Sequence, residues 1–153
     1  MSGQLQLRRG STAENDAFTG VEGELTYDTV KKELRIHDGV TQGGNKVPTL
    51  VAVQRPTAEN NYTWYRKYSD GWVEQGGFAS VNECSTTTIN LPVVMADTNY
   101  TALAQNNTLS TAQDAENGVG IQRTGTTQVK LFTHYINPNT ISASWQVSGM
   151  AAE

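Results

Sequence analysis

Asp70 and Glu74 lie four positions apart around Gly71, and two carboxyl groups on one hairpin could pose as the acid pair of a glycoside hydrolase. Such a pair must be held about 5–10 Å apart across a cleft. The run "SDG" at 69–71 explains Asp70 more simply, as a turn residue that hydrogen-bonds its own backbone. His37 and His134 are the two imidazoles available for Ser–His–Asp chemistry or metal binding. His37 falls in an "HDG" turn and His134 on a strand near Phe132, without the His-x-His spacing of ligands on one strand. Both read as structural residues. "GVGIQRTG" at 118–125 lacks the Gly-Lys-Ser/Thr ending of a phosphate loop and reads as a turn region. No residue is assigned a catalytic role, no cofactor is expected, and the chain reads as a non-enzyme.

Composition points the same way. The chain has 153 residues and a net charge of −4. Residues 1–55 carry seven basic and seven acidic side chains, whereas residues 56–153 carry four and eight. Nucleic-acid binding needs a clustered basic footprint, and the Arg8–Arg9 pair is too short to provide one. Cys84 is the single cysteine, which excludes an intramolecular disulfide and a cysteine metal cluster. The longest apolar run, Leu91 to Ala96, contains Pro92 and is far short of a membrane span, so no membrane insertion is expected. No signal peptide is evident at the N-terminus, and Asn61, Asn99 and Asn106 are not expected to carry glycans although each opens an Asn-x-Thr triplet. A reducing cytoplasm is the expected site of assembly.

Counting Gly and leaving out Tyr, apolar residues make up about 42% against a usual 45–50%. Thr, Asn and Ser supply 20, 12 and 9 residues, which favours strands and turns. Two small domains with that apolar supply are expected to bury surface against other copies of the chain.

The elements that must position any site follow from local patterns. "LQLRRG" reads as a short strand, and Ser11 with Glu14 forms a capping box for a helix of at most two turns before Gly20. "GELTYDT" and "KELRIHDG" form a hairpin around Lys31–Lys32, with Leu25 and Tyr27 on one face and Leu34 and Ile36 on one face. Glycines, prolines and amides crowd residues 40–61, so the boundary is placed there: a module over 1–50, a linker over 51–61 and a second domain over 62–153. In that domain, Tyr62, Trp64, Arg66 and Tyr68 alternate with Thr63, Tyr65 and Lys67, and Gly71 supplies the positive φ of a tight turn. Trp72 and Val73 begin a return strand that Gly76–Gly77 is expected to end. The strongest period of two is the last strand, with Ile141, Ala143, Trp145 and Val147 on one side. The fold class is mainly β: a small hairpin module with one short helix, followed by an antiparallel β-sandwich-like domain.

The residues Leu7-Arg8-Arg9-Gly10, Thr12-Ala13-Glu14-Asn15, Phe18-Thr19-Gly20, Gly23-Glu24-Leu25 and His37-Asp38-Gly39 resemble the module at the head of bacteriophage tail-fibre and tropism-determinant proteins. "WYRKYSDGWVEQGG", "INLPVVMADTNYTALA" and "TISASWQVSGMA" are similar to segments near the C-terminus of phage tail fibres. The resemblance implies a virion protein assembled as an intertwined homotrimer, with residues 1–50 attaching and trimerising and the C-terminal domain touching the host surface. It implies as partners other tail or capsid proteins and a bacterial surface carbohydrate or protein. On a threefold axis one histidine per chain could complete a three-ligand metal site, and His134 is the better placed.

Five of the twelve Phe, Trp and Tyr residues fall between Tyr62 and Trp72. Aromatics on both faces of a hairpin need two covers: their own domain, and a neighbouring subunit or a ligand. Core, trimer seam and glycan-stacking platform are the alternatives, and Tyr62, Trp64, Tyr65, Tyr68, Trp72 and Trp145 are read as core and seam. Receptor contacts are expected on polar loops: Asp70, the run 105–118 with Asn106, Asn107 and Thr108, and the turn at Asn137 and Asn139. The leading reading is a trimeric adhesin; the alternative is a structural adaptor, baseplate or capsid decoration without a host-binding role.

Overall fold

A computed structural model describes residues 6–107, 118–133 and 140–153. The fold is mainly β, with one short helix among the described residues, and its contacts divide the chain into two compact units, Met1–Leu50 and Val51–Glu153.

The first unit is a four-stranded sheet, β1 (Arg8–Gly10), β2 (Leu25–Asp28), β3 (Glu33–Ile36) and β4 (Asn45–Val47), in that order. β1 runs parallel to β2; the other pairs are antiparallel. Helix α1 (Thr12–Ala17) begins with the expected capping box, in which the Ser11 hydroxyl accepts from the Glu14 amide while the Glu14 carboxylate accepts from the Ser11 amide. The β2–β3 register pairs Leu25 with Ile36 and Tyr27 with Leu34, so these four share one face as the alternation predicts. The other face carries Thr26, Asp28, Glu33, Arg35 and His37, all buried. Helix α1 covers that polar face: Thr12 Oγ1 donates to Asp28, and Arg35 donates to Asp16 at 2.6 Å. This module is therefore polar inside, while Leu25, Tyr27, Leu34 and Val47 are only half-buried and Ile36 stays exposed on the sheet's outer face.

The second unit holds two sheets around one core. The larger has the order β5 (Leu50–Gln54), β6 (Trp64–Tyr68), β7 (Trp72–Asn82), β12 (Thr140–Met150), β9 (Thr101–Asn106). The smaller is β10 (Gly120–Arg123), β11 (Gln128–Phe132), β8 (Thr86–Asn90). Both contribute to the core: Val73, Val81, Ile141, Trp145 and Val147 from the first, Val129 and Leu131 from the second. Gln75, fully buried, ties the segment after β8 to the core by exchanging two 2.9 Å bonds with the Val93 backbone. Val51–Gln54, inside the stretch read as linker, form most of β5.

Gly76 and Gly77 do not end the return strand; β7 continues to Asn82. Their role is spatial. A Cβ on Gly76 would lie 2.9 Å from the Trp64 ring and 2.6 Å from the Trp145 carbonyl oxygen, and one on Gly77 would lie 3.2 Å from Trp145 Nε1. Alternation puts these two positions on opposite faces, so each glycine makes room for one indole. Gly76→Ala is expected to destabilise the second unit by about 2 kcal/mol, because a backbone oxygen must move, read as a lower denaturant midpoint with an unchanged slope.

A candidate site on the open face of the second unit

The β6–β7 hairpin turns through Tyr68–Gly71, with the Gly71 amide donating to the Tyr68 carbonyl at 3.0 Å and Gly71 at φ +88°. That is the turn chemistry expected there. Asp70 is exposed and accepts from the Trp72 amide at 2.9 Å. Glu74 faces Arg66 at 4.0 Å and not a second carboxylate. Turn capping and an ion pair thus account for both acids.

The aromatic group is divided by the sheet. Trp145 is buried in the core. Tyr65 pairs with Gln75 and so lies on the core-facing side, half-buried. Trp64, Tyr68, Trp72 and Phe78 share the opposite face, where Trp72 and Phe78 remain 41% and 39% exposed. Tyr62 lies before the strand, in a left-handed conformation with φ +55°, directly after Asn61 at φ +53°. Its ring packs on Phe78 with centroids 5.7 Å apart and is still 48% exposed. Phe78 and the strain at Tyr62 have no signature in the two-residue alternation that drew attention to the hairpin.

Register places these side chains in two rows across the sheet. Trp64 pairs with Gly76, Gly76 with Gln146, and Gln146 with Leu103. Phe78 pairs with Ser144, and Ser144 with Gln105. Gly76 lies under the Trp64 ring and Ser144 in the middle of the second row, and a hollow of about 650 Å³ opens between an aromatic side and a side made by Gln105, Gln146 and Leu103.

Other expected site residues lie elsewhere. Asn106 is half-buried at the end of β9, and the exposed Asn107 donates its amide to the Ser142 carbonyl at 2.7 Å. Thr108, His134, Asn137 and Asn139 lie outside the described residues. His37 is buried: its Nδ1 accepts from the Gly20 amide at 3.1 Å, its Nε2 lies 3.1 Å from the Thr26 hydroxyl, and its ring meets Phe18 edge-on. The "HDG" motif is a structural corner, because Asp38 accepts from the Thr41 hydroxyl and amide and the Val40 amide. Those bonds hold its carboxyl well below the usual carboxylate range. Among the described residues no group of three or more His, Cys, Asp or Glu side chains is placed to hold a metal ion.

Comparison with known proteins finds a family match at the N-terminal end. Residues 5–41 match the family model of the major tropism determinant N-terminal domain. The tail fiber receptor-binding protein of Bordetella phage BPP-1 is 30% identical over 109 residues, covering 65% of this chain and 29% of that protein. Gastrotropin of Rattus norvegicus is 33% identical over 76 residues, covering 48% of this chain and 58% of that protein. The chain thus spans less than two thirds of the length of either curated relative. Among solved structures, a C-terminal portion of the R2 pyocin fiber of P. aeruginosa is 15% identical with a TM-score of 0.47, covering 57% of this chain and 23% of that one.

Proposed function

We propose that the chain is a virion tail-fibre protein of a bacteriophage that binds a host surface receptor as a homotrimer. The observation that carries this reading is the agreement between two comparisons. The family model over residues 5–41 is that of a tropism determinant, and the phage relative is a tail fiber receptor-binding protein. Residues 1–50 act as the attachment and trimerisation module, and residues 62–153 as the receptor-binding domain. The other partners are neighbouring tail or capsid proteins, and on the host a bacterial surface carbohydrate or protein.

The trimer reading is supported by the inverted first unit, whose sheet turns Leu25, Tyr27, Leu34, Ile36 and Val47 away from its own helix. Water on that face is unfavourable by about 25 cal/mol for each Å² of apolar surface, and packing against two other copies relieves it. In the second unit, Trp72 and Met150 pair at the hairpin end and are both exposed, a separate apolar patch that a neighbouring copy could cover. Light scattering should give a mass near three chains of 16.6 kDa. Ile36→Glu should shift it toward one chain, since a buried carboxylate costs at least ~2 kcal/mol per seam. A wild-type chain that stays monomeric rules the trimer out.

Threefold assembly also supplies the energetics of attachment. One shallow sugar site of ~1 mM is worth about 4 kcal/mol, and linked sites gain a factor of ~10²–10⁴. Labelled full-length protein should decorate a susceptible strain and block infection by the parent phage. Incorporation into particles without decoration of any strain would instead favour a purely structural virion role.

A further inference from the structure

We infer that the hollow on the open face of the five-stranded sheet is a subsite for an uncharged sugar unit, with Tyr62, Trp64 and Phe78 stacking on its ring and Gln105, Ser144 and Gln146 reading its hydroxyls. The inference rests on the receptor-binding reading and specifies where and how contact is made.

Three observations carry it. The first is strain. Asn61 and Tyr62 are successive non-glycine residues at positive φ, a conformation that persists only where surrounding structure enforces it. The enforcement is visible: the Tyr62 amide donates to the Thr57 carbonyl at 2.8 Å, Asn61 Nδ2 donates to the Phe78 carbonyl at 3.1 Å, and Asn60 Nδ2 donates to the Arg55 carbonyl at 2.8 Å. The product of that strain is an aromatic ring left half in solvent at the rim of the hollow. Packing alone does not call for such an arrangement.

The second is the layout of the two rows. Aromatic faces stand at one end, and Gln105 and Gln146 with the exposed Leu103 at the other, with Ser144 between them. Strands about 4.8 Å apart put roughly two strand spacings between the walls, the width of a pyranose ring with its substituents. A sugar offers that complement: axial C–H groups for an aromatic face, and hydroxyls that both donate and accept, as amides do.

The third is charge. The lining itself is uncharged, and the Arg66 guanidinium, 6.0 Å from the centroid of the Trp64 ring, is paired with Glu74 at 4.0 Å. A flat seam between copies has no use for a hollow with serine between its walls and two amides on its flank. An anionic glycan would find no unpaired cation in its lining.

The three indole N–H groups of Trp64, Trp72 and Trp145 give a direct readout by NMR on the full chain. Glucose, galactose, mannose, rhamnose and N-acetylglucosamine are each titrated to ~100 mM, far above the ~1 mM scale of a shallow site. At least one should move the Trp64 signal while leaving that of Trp72, which lies outside the lining, in place, and glucuronate should not. Gln105→Ala and Gln146→Ala, both on exposed positions, should each weaken binding about 3–10-fold with the spectrum otherwise unchanged. A Trp64 signal unmoved by all five sugars, or equal responses from all three indoles, overturns the assignment. If Trp64 is silent while labelled protein still decorates cells, the subsite fails and the receptor-binding reading stands. If no strain is decorated, it is that reading which fails.

Discussion

Trp145→Ala is expected to lower the stability of the second unit by about 3–5 kcal/mol, a large share of the 5–15 kcal/mol typical of a domain. Trp145 sits in the middle of β12, between β7 and β9, and only 4% of it is exposed. Beneath its indole lies Gly77, which has no side chain to move into the vacated volume. The flanking strands are tied by the ladders of the same sheet and cannot close the gap. The cavity therefore persists, and the cost falls at the upper end of the range for aromatic truncation. Trp64→Ala makes the matched control, since that ring covers Gly76 on the open face and is only half-buried. Its loss should cost about 1–2 kcal/mol, in proportion to the apolar area it shields. Denaturant midpoints of both variants at one protein concentration decide the matter. Equal losses would mean that Trp145 does not occupy an enclosed core.

The difference between these two tryptophans marks how far the sequence could be read. The period of two in residues 141–147 puts Trp145 on one side with Ile141, Ala143 and Val147, and in the long central strand β12 that side is the buried one. The same logic placed Trp64, Arg66 and Tyr68 together on β6. It could not say which side of the sheet the second layer would cover, since that depends on β8, β10 and β11, distant in the chain. Gly76–Gly77 looked like a stop because glycine usually weakens a strand. Only the paired register shows that both residues are small because a ring crosses each. Tyr62 was read as the first residue of a strand, and its left-handed backbone is imposed by the bonds of residues 57–61, which no alternation encodes. In the first unit the capping box and the hairpin register were legible because both are local. The inversion of its faces was not, for burial of Arg35 and Asp28 depends on α1 folding over them.

Those two units solve the same shortage of apolar residues differently. The second encloses a conventional core between two sheets. The first keeps Asn15, Asp28, Arg35 and His37 inside, where directional bonds replace packing. Asn15 alone donates to the carbonyls of Gly10 and Ser11, fixing β1 against α1. A polar interior leaves apolar side chains on the outer face of the sheet, and it makes the module sensitive to charge.

Arg35→Met tests that sensitivity. Arg35 and Asp28 are 1% and 0% exposed and joined at 3.0 Å, while Asp16, 55% exposed, holds the other guanidinium nitrogen. Methionine keeps much of the volume and strands Asp28 in a dry site. The expected loss is about 3 kcal/mol, the lower end for breaking a buried pair, since Asp16 stays in contact with water. The pH dependence should change as well. Burial alone would push the Asp28 carboxyl up, but bonds from the Lys31 amide, the Thr12 hydroxyl, the Val30 amide and Arg35 outweigh it and hold it below its ordinary 3.8. A carboxyl depressed in the folded state contributes stability that is complete above that ordinary value and is lost as pH falls below it. Removing Arg35 deletes one of the downward contributions, so the acid limb should move to higher pH. Hydrogen exchange over residues 6–50 between about pH 2 and 6 measures both effects. An acid limb at the same pH in wild type and Arg35→Met would show that the pair does not govern this unit. Asp28→Asn in the Arg35→Met background should then recover part of the loss, because an amide can still accept from Val30 and Lys31 without an unpaired charge.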